Sequence, residues 1–173
     1  ETRLLGILSS QNVRPTIAHD IKRNAVLAIF FSLIVIFLYI AVRFKRWQFG
    51  LGGVIALSHD TLITISLFSM FYNILPFNME IDQAFIAAIL TIIGYSINDT
   101  VIIFDRIREN IFLHPKKDLK DTINMSLNRT LGRTFNTSGT TILVLLMIFL
   151  FGGEIIRGFT FALLFGIIIG TYS

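Results

Sequence analysis

The sequence has no cysteine and few charged side chains. The absence of cysteine excludes a disulfide framework and any metal site that uses thiolate ligands. Charged residues make up 15% of the 173 residues, and hydrophobic residues make up 54%. Soluble domains carry about 25% charged residues. This shortage of charge therefore excludes an ordinary soluble domain and indicates an integral membrane protein.

The apolar residues fall into runs that are long enough to cross a bilayer, which takes about 20 residues in a helix. Five such spans are predicted, at residues 25–42, 49–71, 84–104, 135–151 and 158–173. The first and fourth contain no charged residue, whereas the second and third contain carboxylates. The predicted fold class is an all-α membrane protein, a polytopic helical bundle of five spans with a short extracytoplasmic N-terminal tail.

The distribution of basic residues predicts the orientation of the bundle. Ten of the 15 lysines and arginines lie in two connections, the turn after the first span and the segment after the third. The connection 72–83 has none. The positive-inside rule places the ten in the cytoplasm. This pattern is typical of membrane topology and does not indicate a nucleic-acid surface, so we expect no nucleic-acid partner.

Two regions follow from this topology. Residues 1–23 are predicted to be the end of an extracytoplasmic domain and the entry to the membrane, and residues 24–173 the transmembrane domain. Within the cytoplasmic loop 105–132, apolar residues recur every four positions from Leu119 to Leu131. That period predicts an interfacial helix over 119–131. Because the chain begins with Glu and ends inside an apolar run, we expect it to be an interior piece of a longer protein.

Asp99 is the most informative single residue. It lies in the third span, roughly 8 Å inside the predicted cytoplasmic end at ~1.5 Å per helical residue. An acid in hydrocarbon is costly and marks a functional site by default. Arg133 lies where the fourth span begins, in the same half of the membrane, and its long side chain can extend inward. We predict that these two residues form a proton relay; a purely structural ion pair is the alternative.

Other polar residues of the spans are secondary candidates for a proton pathway. Ser96 shares a helical face with Asp99, and Thr137 and Thr140 share one with Arg133, so their hydroxyls could line a water path. His59 and Asp60 in the second span are either a second titrating pair or a hydrogen-bonding clamp between helices. The secondary candidates are therefore Asp60, His59, Ser96, Asn98, Thr137 and Thr140.

A long motif around Asp99 resembles a known family. The segment 94–110, GYSINDTVIIFDRIREN, is similar to the signature of SecF, the accessory subunit of bacterial Sec protein export. Further segments resemble the same family in order: VRPT at 13–16, YIAVRF at 39–44, ALSHD at 56–60, LGRT at 131–134, TSGTT at 137–141, LFGG at 150–153 and GF at 158–159. The family more often has Gly where Arg14 stands.

This resemblance implies a fold and an activity. The fold is a six-span half of the resistance-nodulation-division (RND) superfamily, of which this chain lacks the first span and most of the extracytoplasmic domain. The activity is coupling of the proton-motive force to motion that pulls exported polypeptide outward. Asp99 resembles the essential proton-pathway aspartate of the family and Arg133 its companion arginine, while a further acid comes from the SecD half.

The resemblance also implies partners and a location. The expected partners are a SecD half or subunit, the SecYEG channel, the exported unfolded polypeptide and the lipid bilayer. The expected location is the bacterial cytoplasmic (inner) membrane. No cofactor or metal is expected, since protons are the coupling ion, and no covalent catalysis is expected.

Three alternative functions stay open at this point. One is an RND-type exporter half for small molecules or lipids. Another is an intramembrane aspartyl enzyme that uses Asp60 and Asp99, which needs two carboxylates that share a proton at close range. A passive scaffold subunit is the third.

Overall fold

Five helices form the part of the chain that the computed structural model describes, which is residues 15–173, with side chains from residue 20 onward. They are α1 (Pro15–Phe44), α2 (Trp47–Phe71), α3 (Gln83–Leu113), α4 (Leu119–Phe151) and α5 (Glu154–Tyr172). All five are long and apolar enough to cross a membrane. The prediction of an all-α bundle of five spans is therefore confirmed. Residues 1–14, with most of the predicted tail and the motif at 13–16, lie outside the described residues.

Short connections alternate the direction of the helices. Only Lys45 and Arg46 join α1 to α2, and Lys45 has a φ of 54°, in the left-handed region. That conformation ends a helix and reverses the chain, and glycine more often occupies it. As a result α1, α3 and α5 end where α2 and α4 begin. We call this end of the bundle, which carries Arg43, Lys45 and Arg46, the basic end.

The core lies between α2, α3 and α5. Leu57, Ile89, Ile92 and Ala162 are almost completely buried there. In contrast residues 25–42 of α1 are apolar on nearly all sides, with Phe30, Phe31 and many other side chains exposed. A helix that is apolar on every side and exposed in a bundle is typical of contact with lipid.

The α3–α4 connection differs from the prediction. Residues 105–132 were predicted as a cytoplasmic loop containing a separate interfacial helix at 119–131. Instead α3 continues to Leu113 and α4 runs without a break from Leu119 to Phe151. Residues 119–131 are helical as predicted, but they are continuous with the fourth span, because hydropathy marks the edge of the bilayer whereas helical hydrogen bonding continues beyond it. His114 and Pro115 end α3, since the residue before proline disfavours helical geometry.

Buried polar contacts hold the two extensions together as a hairpin, which we call the α3–α4 hairpin (residues 105–131). Asn110 and Ser126 are fully buried, and Asn110 Nδ2 donates to Ser126 Oγ at 2.8 Å. Arg129 donates to Asn110 Oδ1 at 3.2 Å. The face of α4 that meets α3 therefore consists of hydroxyl residues such as Thr122 and Thr130, and the predicted apolar stripe is largely exposed, with Leu119, Leu127 and Leu131 outside the core.

Candidate functional site

Asp60 is the most deeply buried carboxylate among the described residues, with 1% of its surface exposed. It lies in the middle of α2 and faces α3 and α5. Ser96 of α3 donates its hydroxyl to Asp60 Oδ2 at 3.0 Å. The other oxygen, Oδ1, lies 3.2 Å from Nδ1 of His59, whose side chain is 57% exposed. Asp60 is therefore hydrogen-bonded to one buried partner, Ser96, and to one partner at the surface of the bundle, His59.

Asp99 lies one helical turn from Ser96, toward the basic end. It is half-buried, and Arg133 of α4 is close enough to act on it electrostatically. The described residues form four ion pairs with a nitrogen–oxygen distance of 4 Å or less, and none of them joins Asp99 to Arg133. Arg133 is exposed. Asp99 and Arg133 therefore share a neighbourhood without direct contact, an arrangement in which a small movement of either side chain changes their interaction.

Asp60 and Asp99 line one cavity of about 550 Å³ at the basic end. Ser96 lies in its wall between them, and hydroxyl and amide side chains from α3, α4 and α5 complete the polar lining: Thr100, Asn124, Asn128, Thr130, Thr134 and Thr171. Apolar side chains make up the rest of the wall, but a space of this size with several hydroxyl, amide and carboxylate groups can hold water, which needs two to four polar partners. The cavity therefore brings both acids to a region where water can supply or remove protons.

The secondary candidates on α4 lie elsewhere. Thr137 donates to the Arg133 carbonyl at 2.5 Å, and Thr140 donates to the Asn136 carbonyl at 2.8 Å. Neither lines the cavity. Asn98 is exposed on α3. The α4 hydroxyls that do line the cavity are those of Thr134 and Thr130, one and two turns closer to the basic end than Thr137. Neither was among the predicted candidates, and a helix that continues through Gly132 would have indicated both.

The opposite half of the bundle is packed with aromatic rings. Phe161 contacts Phe71, Phe77 and Phe165 with ring centroids 4.6–5.9 Å apart. Phe68 and Phe85 pack against each other on the same side of Asp60, with ring centroids 4.2 Å apart and ring planes tilted by 36°. Thr64, between Asp60 and this layer, uses its hydroxyl within α2, where it bonds the Asp60 carbonyl at 2.8 Å. Within the described helices, Asp60 and Asp99 therefore have the cavity on the side of the basic end and the phenylalanine rings on the opposite side.

Ion pairs mark the exit of α3 at the basic end. Asp105 Oδ2 lies 3.1 Å from Arg43 of α1, and Asp105 Oδ1 lies 3.3 Å from Arg108. Both guanidinium groups also lie over the ring of Phe44, at 5.5 and 5.4 Å. These exposed pairs fix how α1 meets α3 but are worth little energy individually. Among the residues that the structure describes, no group of three or more His, Cys, Asp or Glu could hold a metal ion.

These features define a class of protein: a multi-pass helical membrane protein with two carboxylates of its membrane-spanning helices on one cavity. The sequence matches the family described as "Protein export membrane protein SecD/SecF, C-terminal" over residues 4–173. The chain belongs to this family.

Individual relatives agree. The chain is 54% identical to "Protein translocase subunit SecF" of Rhodothermus marinus over 96% of its length, and 46% identical to the SecF of Cereibacter sphaeroides over 95%. It spans about half of these relatives, 54% and 49% of their lengths. A crystal structure of SecDF in a "Super-membrane-facing form" superposes with a TM-score of 0.78 at 40% identity, covering 92% of this chain and 20% of that one. The family description names a membrane protein, in agreement with the five helices that are able to cross a membrane.

Proposed function

We propose that this chain is part of a SecF-type subunit that uses proton flow through the membrane to assist protein export. The observation that carries the proposal is the carboxylate of Asp99 inside a membrane-spanning helix, which lines a cavity at the basic end and has the guanidinium of Arg133 near it. The names of its relatives, translocase subunits, support the export role. Its partners are a SecD half or subunit, the SecYEG channel and the exported unfolded polypeptide.

The proposed orientation places the basic end in the cytoplasm. Arg43, Lys45 and Arg46 at the α1–α2 turn, together with the cations of the α3–α4 hairpin, support it through the positive-inside rule. The cavity is then the cytoplasmic half of the proton route, and the phenylalanine layer lies toward the other side. Protons would enter past that layer in a second conformation, since the described arrangement packs it with rings.

Asp99 and Arg133 supply the coupling in this mechanism. When Asp99 is ionised, the guanidinium of Arg133 is attracted toward it; when Asp99 is protonated, the attraction is lost and α4 can shift relative to α3. Arginine suits this role because it stays charged throughout. A proton that crosses ~100 mV releases about 2.3 kcal/mol, enough to bias a movement between two conformations. No covalent chemistry and no cofactor other than the proton are required.

The test is Asp99→Asn in the full-length protein together with its SecD partner. Export of a reporter protein into inverted membrane vesicles is measured with and without a protonophore. We expect the variant to assemble normally and to export at the rate that the wild type shows with protonophore. Glu109→Gln, an exposed carboxylate on the same helix, is the matched control and should export normally. Proton-dependent export by Asp99→Asn would refute the proposal.

A further inference from the structure

We infer that Asp60 is a second proton-binding carboxylate of the cavity, held in place by the Ser96 hydroxyl. The inference rests on the proposed function, because it assigns a further residue to the same proton route. Asp60 belongs to α2, a helix that contributes neither Asp99 nor Arg133. If Asp60 binds protons, the proton route extends from Asp99 and Arg133, between α3 and α4, to the centre of the bundle.

The position of Asp60 requires a reason. It is 1% exposed in the middle of a membrane-spanning helix, where an ionised carboxylate is expensive. A helix-to-helix clamp at this position needs only a neutral side chain such as Asn or Ser, which hydrogen-bonds across helices without a charge. A residue that can bind and release a proton explains the choice of an acid.

The partners of Asp60 suit both of its protonation states. The ionised form accepts hydrogen bonds at both oxygens, from Ser96 at 3.0 Å and from His59 at 3.2 Å. When a proton from water binds the carboxylate, the Ser96 hydroxyl can rotate and accept instead of donating, because a hydroxyl does both. Neutral His59 likewise presents either a donor or an acceptor at Nδ1. The site can therefore provide a hydrogen bond at each carboxylate oxygen of Asp60 in its charged and in its neutral form.

Gly170 keeps this junction open. A β-carbon at position 170 of α5 would lie 3.2 Å from Ser96 Oγ and 3.5 Å from Asp60 Oδ2. Any side chain there would press on the hydroxyl that must rotate. With glycine at this position, α5 packs closely over Asp60 and Ser96 and still leaves the Ser96 hydroxyl room to rotate.

The surrounding charges couple Asp60 to Asp99. The titratable and charged groups that face this region are His59 on α2, Asp99 on α3, Arg133 on α4 and Tyr172 on α5. Both acids line the same cavity, and Asp99 has the guanidinium of Arg133 near it. A proton bound at Asp60 would change the charge that Asp99 and Arg133 experience.

The test is an infrared titration of the full-length protein with its SecD partner in lipid nanodiscs. The pH-dependent carbonyl band of protonated carboxyl groups is recorded for the wild type and for Asp60→Asn, Ser96→Ala and Asp118→Asn. We expect Asp60→Asn to lose one component of the band. Ser96→Ala should keep that component but move its frequency and its titration midpoint. Asp118→Asn, at the start of α4 and away from the cavity, should leave the component unchanged.

Two results would overturn the inference. One is a folded Asp60→Asn variant whose band matches the wild type at every pH. If Asp60→Asn fails to assemble, Ser96→Ala decides, and an unchanged band in that variant overturns the inference. The outcome is separable from the proposed function: normal proton-dependent export by Asp99→Asn removes the export role, whereas an unchanged band in Asp60→Asn removes only the role of Asp60.

Discussion

Asn110 of α3 and Ser126 of α4 are hydrogen-bonded to each other at 2.8 Å and are both completely buried, although they lie beyond the apolar part of their helices. Arg129 adds a second bond to Asn110, at 3.2 Å. Buried polar groups of this kind are costly to leave without a partner. The α3–α4 hairpin therefore depends on polar pairing, where the core of the bundle depends on apolar packing.

Asn110→Ala should destabilise the hairpin locally by about 1–3 kcal/mol, because Ser126 and Arg129 both lose a partner. The hairpin tip carries Lys116 and Lys117, so local opening should speed cleavage by trypsin. Limited proteolysis of the purified protein measures this. Glu109→Ala, the neighbouring exposed residue, should cleave at the wild-type rate, and equal rates for the two variants would contradict the prediction.

Gly166→Ala should destabilise the whole bundle. A β-carbon there would overlap the side chain of Ile92, which is 1% exposed and has no room to move. Overpacking of this kind typically costs about 1–3 kcal/mol. Thermal unfolding in detergent should show a lower midpoint than for the wild type. Gly132→Ala, where nothing lies within 4 Å, should leave the midpoint unchanged or raise it. A higher midpoint for Gly166→Ala would show that α3 and α5 are not packed as described.

The sequence predicts the number and approximate position of the helices, because the membrane requires long apolar runs and these are read directly. It does not predict where α3 ends or where α4 begins. Beyond the bilayer, the hairpin is held by Asn110, Ser126 and Thr122, and buried polar residues produce no hydropathy signal. The predicted apolar stripe from Leu119 to Leu131 was misleading because its residues lie mostly outside the core.

The site was predictable only in part. The cost of an acid in a membrane identifies Asp60 and Asp99 from the sequence alone. The contact between Asp60 and Ser96 depends on the rotation of α2 against α3, and Gly170 enters only because α5 packs against both. Long-range relations of this kind carry no local signature. The sequence therefore indicates candidate residues, and the packing determines which of them are in contact.

The proposed orientation can be tested with single cysteines, because the chain has no cysteine of its own. Lys117→Cys at the hairpin tip should react with a membrane-impermeant maleimide in inverted vesicles and not in intact spheroplasts. Asn73→Cys, in the connection between α2 and α3, should show the opposite pattern. Both residues are exposed, so poor access does not explain a missing signal. Labelling of Lys117→Cys from outside would reverse the proposed topology.

The final prediction separates a proton relay from a structural ion pair. Asp99→Asn and Arg133→Gln should each reduce proton-dependent export at least tenfold, a change of about 1.4 kcal/mol in the barrier. The double variant should be no worse than either single variant, since residues that act as one unit give non-additive losses. Export into inverted vesicles, with and without protonophore, measures all three, and co-purification with SecD verifies assembly.

A structural pair gives a different pattern. If Asp99 and Arg133 only balance each other's charge, each single change leaves one charge without its partner, and the double variant restores a neutral, stable site. Export by the double variant would then return to the wild-type rate. The lack of an ion pair closer than 4 Å between them in the described structure argues against such a balance. We therefore expect the double variant to stay inactive, and recovery of export would reject the relay.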